Sequence, residues 1–162
     1  MSPGHRLRQL TALAHFSDAQ LDTLARASQV VTAPEGQVVV ARGDVTPRVY
    51  GLTEGSMTVR QRTVDGECVL ARSRPGELFG EVGFVDRQPA SADLVASSDC
   101  ELVLFDDVRL EELCGADRRF DQALRWAMWN SMSRKLRLTI RMLSHHFAGQ
   151  QLENRRGDPA RP

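Results

Sequence analysis

The chain reads as a mainly β domain with helices on either side, and three observations predict it. Short apolar runs crowd the stretch from about residue 29 to residue 106. Turn dipeptides separate those runs at intervals of about 10 residues. Helical periodicity dominates both ends. Many short strands with evenly spaced turns make a sandwich, a jelly roll or a barrel. With 162 residues, 41% hydrophobic and 26% charged, the composition suits one domain with a packed core.

Ser17-Asp18-Ala19-Gln20 forms a capping box, Ser17 capping and Gln20 reaching back. Leu21, Leu24, Ala25 and Ser28 follow at helical spacing, and Leu7, Leu10, Leu13 and Ala14 repeat the pattern upstream. The expectation is a small helix pair over residues 7–28, followed by strands over 29–106. Val30-Val31 and Val38-Val39-Val40 flank the turn-like Ala33-Pro34-Glu35-Gly36. Gly43-Asp44, Glu54-Gly55, Asp65-Gly66, Pro75-Gly76 and Gln88-Pro89 punctuate the rest. Met57 and Val59 alternate with Thr58 and Arg60, and Cys68 and Leu70 alternate less cleanly with Glu67 and Val69. Asp65-Gly66 between these runs predicts a hairpin. Leu102 to Phe105 is a short, fully apolar strand.

Asp106 or Asp107 caps a short helix carrying Val108, Leu110 and Leu113, which stops near Gly115. A longer helix is expected from about Ala116 to Ala148. Gly149 is its stop, and His145 and His146 lie in the last turn, where the dipole favours positive charge. Some 30 residues at 1.5 Å each span roughly 45 Å, more than the width of a barrel this size. Trp129, Leu136, Ile140, Leu143 and Phe147 follow at spacings of 7, 4, 3 and 4, with Ser133 in the missing position. This coiled-coil-like seam predicts a homodimer through the C-terminal helix. Residues 149–162 are polar and proline-ended, and are expected to be a disordered tail.

Lys plus Arg is 21 and Asp plus Glu is 21. Zero net charge argues against a chain that chiefly coats nucleic acid. No apolar run approaches the roughly 20 residues of a membrane span, and MSPGHRLRQL lacks the apolar stretch of a secretory signal. Cys68, Cys100 and Cys114 are an odd set without CxxC spacing, which fits a reducing cytoplasm and no zinc cluster. His5, His15, His145 and His146 all lie outside the strand-rich region. That excludes a metalloenzyme with histidine ligands on barrel strands, and no Ser/His/Asp set is suggested, so no enzyme is expected. Asp106-Asp107 and Glu111-Glu112 read as a cap and a solvated helix face. Arg134, Lys135, Arg137 and Arg141 read likewise as a solvated face beside the seam. Trp126 and Trp129, three apart, suit packing in the seam more than stacking on a purine.

The chemistry concentrates in Pro75-Gly76-Glu77-Leu78-Phe79-Gly80-Glu81-Val82-Gly83-Phe84 and Gln88-Pro89-Ala90-Ser91-Ala92-Asp93-Leu94-Val95-Ala96. Glycines bracket a short helical turn between strands. Gly80 lets the backbone approach a ligand, and the turn presents unpaired amides. Glu81 just inside it is a poor phosphate contact but a good acceptor for a sugar hydroxyl. Ser91 and the amide of Ala92 close the other side. The set suits a small phosphorylated sugar ligand.

These residues resemble the cyclic-nucleotide-binding domain family, shared by the catabolite activator protein, regulatory subunits of cAMP-dependent kinase and cyclic-nucleotide-gated channels. The resemblance covers about residues 7 to 148. It rests on the leading helices, the series Gly36, Gly43, Gly55 and Gly76, the Phe79-Gly80-Glu81 core and the closing Ala92-Asp93-Leu94-Val95-Ala96. It implies an eight-stranded antiparallel β-roll and a non-enzymatic regulatory module. By the same resemblance, Glu81 matches the carboxylate that binds the ribose 2′-hydroxyl, and Gly80 and Val82 match the amides facing the phosphate. Ser91 and Ala92 match the hydroxyl and amide on its other side. Thr139 matches approximately a helix position that touches the base.

The family's phosphate-binding arginine should follow Pro89, and here that residue is Ala90. A charge-assisted hydrogen bond contributes about 1.5–3 kcal/mol, and breaking a buried charge pair costs about 3–5 kcal/mol. Affinity for a cyclic nucleotide should fall by roughly 10- to 1,000-fold. Asp93 lies on the same strand face as Ser91 and adds to that loss, while Arg87, Arg72 or Arg74 are candidates to replace the guanidinium. The expectation is a degenerate phosphate-binding cassette, no bound cofactor, and a role in protein–protein interaction with an unidentified signalling partner. Two alternatives stay open. One is a working receptor for cAMP, cGMP or a cyclic dinucleotide with an atypical pocket. The other is a DNA-associated regulator of the Crp/Fnr type. Against the second, only about a dozen residues follow the long helix, and a winged helix needs several times more.

Overall fold

Apolar residues on both faces of one sheet set the architecture. The computed structural model describes residues 3–45, 48–64 and 66–156, with side chains for 4–45, 48–64 and 66–144. Helices α1 (Pro3–Leu7) and α2 (Asp18–Arg26) bracket a 3₁₀ turn at Thr11–Leu13. Strands β1 (Ser28–Ala33), β2 (Val38–Val40), β3 (Arg48–Glu54), β4 (Met57–Thr63), β5 (Gly66–Ser73) and β6 (Leu78–Phe79) follow. Next come α3 (Glu81–Asp86), β7 (Asp93–Ala96), β8 (Cys100–Asp106), α4 (Asp107–Ala116) and α5 (Arg118–Arg156). The strands form two antiparallel four-stranded sheets, ordered β1-β8-β3-β6 and β2-β7-β4-β5. That is the eight-stranded β-roll.

Leu52, Leu102, Phe79 and Tyr50 from the first sheet meet Met57, Leu94 and Ala96 from the second in one core. On the first sheet's other face, α1 lies against β1 and β8, while Gln29, Val30 and Thr32 of β1 stay exposed. Residues 49–53 of β3 are all buried, as a strand covered on both faces requires. Leu10 lies so close to β3 that a Cβ on Gly51 would sit 2.4 Å from its Cδ1. At the β3/β8 bulge between Leu52 and Glu54, the Thr53 hydroxyl lies 2.9 Å from the Glu101 carbonyl oxygen. The Glu101 carboxylate also takes a bidentate contact from Arg6 of α1. That guanidinium, helped by Thr53, holds the Glu101 carboxyl below the usual carboxylate range.

Several sequence expectations differ from the fold. The upstream leucines do not make one helix: α1 starts at Pro3 and ends at Leu7, and Leu10 and Leu13 sit around the 3₁₀ turn. The hairpin pairs Thr63 with Gly66, so Gly66 opens β5 instead of sitting in the loop. Asp65 lies outside the described residues. Cys68, Val69 and Leu70 are all exposed, because β5 is an edge strand and a bulge between Val59 and Arg60 breaks the alternation. Helix α5 runs through Gly149 to Arg156 instead of stopping there. A single helical glycine costs only about 1 kcal/mol, and Gln150, Gln151, Leu152 and Glu153 beyond it are acceptable helix residues. The rest of the expected tail, residues 157–162, lies outside the described residues.

The capping box at Ser17 and Gln20 is formed on both sides. Asp106 caps α4 by accepting from the Arg109 amide. The chain divides into two units, Met1–Ser131 and Met132–Pro162. Within the first, Phe120, Leu124, Ala127, Met128 and Ser131 line the buried face of α5, and Phe120 packs edge-on against Phe16 at 5.8 Å. Trp126 and Trp129 face away from that side and are exposed on the single chain. In the second unit Leu136, Ile140 and Leu143 are exposed, while the Phe147, His145 and His146 side chains lie outside the described residues.

Candidate functional site

Strand pairing places the start of the cassette. Phe79 pairs with Tyr50 and Leu78 with Gly51, which carries the chain past the beginning of β3. Gly80 then turns at φ 78°, and a Cβ there would lie 1.9 Å from the Arg48 carbonyl oxygen. Both the left-handed backbone and the approach to β3 require glycine. Glu81 opens α3 at once and is 1% exposed. Its Oε1 accepts a hydrogen bond of 3.1 Å from the Ser131 hydroxyl on α5. A carboxylate removed from water must be held by donors, and the long helix supplies one. Val82 is half exposed on the outer side of α3.

Arg87 ends α3 in the left-handed region at φ 57°, its amide donating to the Gly83 carbonyl at 3.0 Å. Its guanidinium lies over the Phe84 ring at 5.0 Å and pairs with Asp107 and Glu111 of α4. Arg87 is thus directed to α4. Arg72 and Arg74 are exposed.

Ala90 is held through its backbone. It donates to the Asp44 carbonyl at 2.9 Å and accepts from the Gly43 amide at 2.8 Å. The Asp93 carboxylate accepts the Arg42 amide at 2.7 Å. Asp93 thus fastens the turn after β2, a role that sequence alternation did not show. Ser91 is exposed and Ala92 half-buried on the segment leading into β7. Gly80, Glu81 and Val82 stand together at the head of α3, and Ser91 and Ala92 follow after its turn. Thr139 belongs to the Met132–Pro162 unit, where its hydroxyl donates to the Lys135 carbonyl at 3.0 Å. Among the described residues, no cluster of three or more His, Cys, Asp or Glu side chains could hold a metal ion, and no helix is long and apolar enough to cross a membrane.

Sequence reasoning found neither the Ser131 contact with Glu81 nor the Arg87 contacts with α4. A signal for Ser131 existed: it continues the spacing of Phe120, Leu124, Ala127 and Met128, and a hydroxyl on a buried helix face needs a partner.

A family model described as "Cyclic nucleotide-binding domain" matches residues 30–117. The cAMP-dependent protein kinase regulatory subunit of Dictyostelium discoideum is 31% identical over 123 residues, 74% of this chain and 37% of that protein. The chain thus spans little more than a third of that relative. A cyclic nucleotide-binding domain from Methylobacillus flagellatus superposes with a TM-score of 0.81 at 18% identity, covering 89% of this chain and 86% of that one. The regulatory subunit of a cAMP-independent protein kinase A from Trypanosoma brucei superposes with a TM-score of 0.63 at 23% identity, covering 68% and 41%. A variant of that subunit, in which one of three substitutions puts arginine for threonine, is described as bound to cAMP in its A site.

Proposed function

The chain belongs to the cyclic nucleotide-binding domain family, and from that membership we propose that it is a non-enzymatic regulatory module with a degenerate phosphate-binding cassette. It acts through protein partners. The observation that carries this reading is the cassette's sequence: the residue after Pro89 is Ala90, and the arginine nearest to it in sequence, Arg87, is paired with Asp107 and Glu111 on α4. The buried Glu81 supports it, since its carboxylate is already hydrogen-bonded within the fold.

Calorimetry with cAMP, cGMP and cyclic dinucleotides tests the proposal. Dissociation constants weaker than about 10 μM are expected, and a tighter one for any of them overturns it. In Ala90→Arg, cAMP binding should strengthen by roughly tenfold or more, the contribution of one charge-assisted hydrogen bond.

One observation favours the second reading, a working receptor with an atypical pocket. The left-handed glycine turn at Gly80, which lets the backbone approach a ligand, is present.

We further propose a cytoplasmic homodimer. Trp126 and Trp129 are exposed opposite the buried face of α5, and Leu136, Ile140, Leu143 and Phe147 extend the Trp129 spacing. Sedimentation should show a dimer that Leu136→Glu with Ile140→Glu converts to monomer.

A further inference from the structure

We infer that Ser131 is the positioning residue of the cassette: its hydroxyl holds the carboxylate of Glu81, the residue that the family reading assigns to a ligand hydroxyl. It thereby fixes the head of α3 to the Arg118–Ser131 stretch of α5. The inference rests on the family reading of Glu81 as a hydroxyl acceptor and does not need the cassette to be degenerate.

Three observations carry it. Ser131 is 2% exposed and Glu81 1%, so water does not compete for either group. The Ser131 hydroxyl donates to Glu81 Oε1 at 3.1 Å across 50 residues of sequence, which makes the bond tertiary and not a local cap. Ser131 also stands on the face of α5 that carries Phe120, Leu124, Ala127 and Met128, so its position is set by a packed helix. A serine hydroxyl has one proton to donate and a freely turning O–H bond, as a ribose hydroxyl does. The two therefore suit the same carboxylate oxygen. At its other end α3 is held by Arg87 on Asp107 and Glu111 of α4. A six-residue helix fixed at both ends to the C-terminal helices has its position set by the fold's own contacts.

Hydrogen exchange of the ligand-free full chain tests this. In Ser131→Ala, amides of α3 and of residues 120–131 should exchange faster together, by roughly 10- to 150-fold. That is one charge-assisted hydrogen bond of about 1.5–3 kcal/mol, converted at about 1.4 kcal/mol per tenfold. Amides of β3 and β8 should keep their rates. In a Glu81→Ala background, adding Ser131→Ala should change α3 exchange by less than about twofold, because the partner is already gone. Unchanged α3 rates in Ser131→Ala overturn the inference, and so does equal acceleration in β3 and β8. Fully additive effects of the two substitutions on α3 also overturn it. No nucleotide enters this measurement, so tight cAMP binding by calorimetry would sink the degenerate reading and leave the role of Ser131 standing.

Discussion

The two sheets of the β-roll differ in how they are covered. The sheet ordered β1-β8-β3-β6 is the more enclosed: residues 49–53 of its inner strand β3 are all buried, although Gln29, Val30 and Thr32 of β1 are exposed. The sheet ordered β2-β7-β4-β5 ends in an edge strand whose Cys68, Val69 and Leu70 are exposed. The cassette hangs from both: β6 leads into it from the enclosed sheet, and β7 receives it in the open one. Stability and recognition are thus divided. The enclosed sheet fixes where Gly80 and Glu81 stand, and the open one can change its surface at little cost to the fold.

The largest expected effect separates the two sheets directly. Leu102→Ala in β8, at a fully buried position, should cost about 2–5 kcal/mol in urea unfolding. Leu70→Ala in β5, at 41% exposed, should cost less than about 1 kcal/mol. Similar costs would break the contrast.

The junction comes next. Gly80→Ala forces a side chain into a left-handed residue, at about 1–2 kcal/mol, and drives its Cβ toward the Arg48 carbonyl. Thermal unfolding should show at least that loss, while Gly66→Ala on the open sheet meets no atom within 4 Å and should lose only the backbone part.

The smallest effect depends on pH. The Glu101 carboxyl is lowered in the folded chain, first by its hydrogen bond to Arg6. Its stabilisation is therefore present above the unfolded pKa and fades as pH falls through the lowered folded value. Arg6→Ala should be less stable than the unsubstituted chain at pH 7, and the gap should close on acidification. A gap that persists below pH 2 would assign the loss to packing of the Arg6 stem.

How much of this was legible follows from what each residue signals locally. Ser17 with Gln20, Asp106, and the apolar run from Leu102 to Phe105 announce their elements because capping and burial are short-range patterns. The Gly80 turn announced itself for the same reason. The exposure of Leu70 could not be read, because an edge strand is defined by the neighbour it lacks. Neither could the destination of Arg87, whose partners lie 20 and 24 residues away on another helix. Alternation put Asp93 beside Ser91 but could not show that its carboxylate would be taken by the Arg42 amide. Ser131 was misread by omission: the seam drew notice to the outer face of the long helix, and the hydroxyl that meets Glu81 is on the inner one.

Position 87 makes two opposed demands on one residue. Its left-handed backbone would relax by about 1 kcal/mol with glycine. Its half-exposed guanidinium returns a similar sum, each surface ion pair contributing about 0.2–1 kcal/mol. A melting-temperature screen would therefore score Arg87→Gly as nearly silent, although the exchange unfastens one end of α3 from α4.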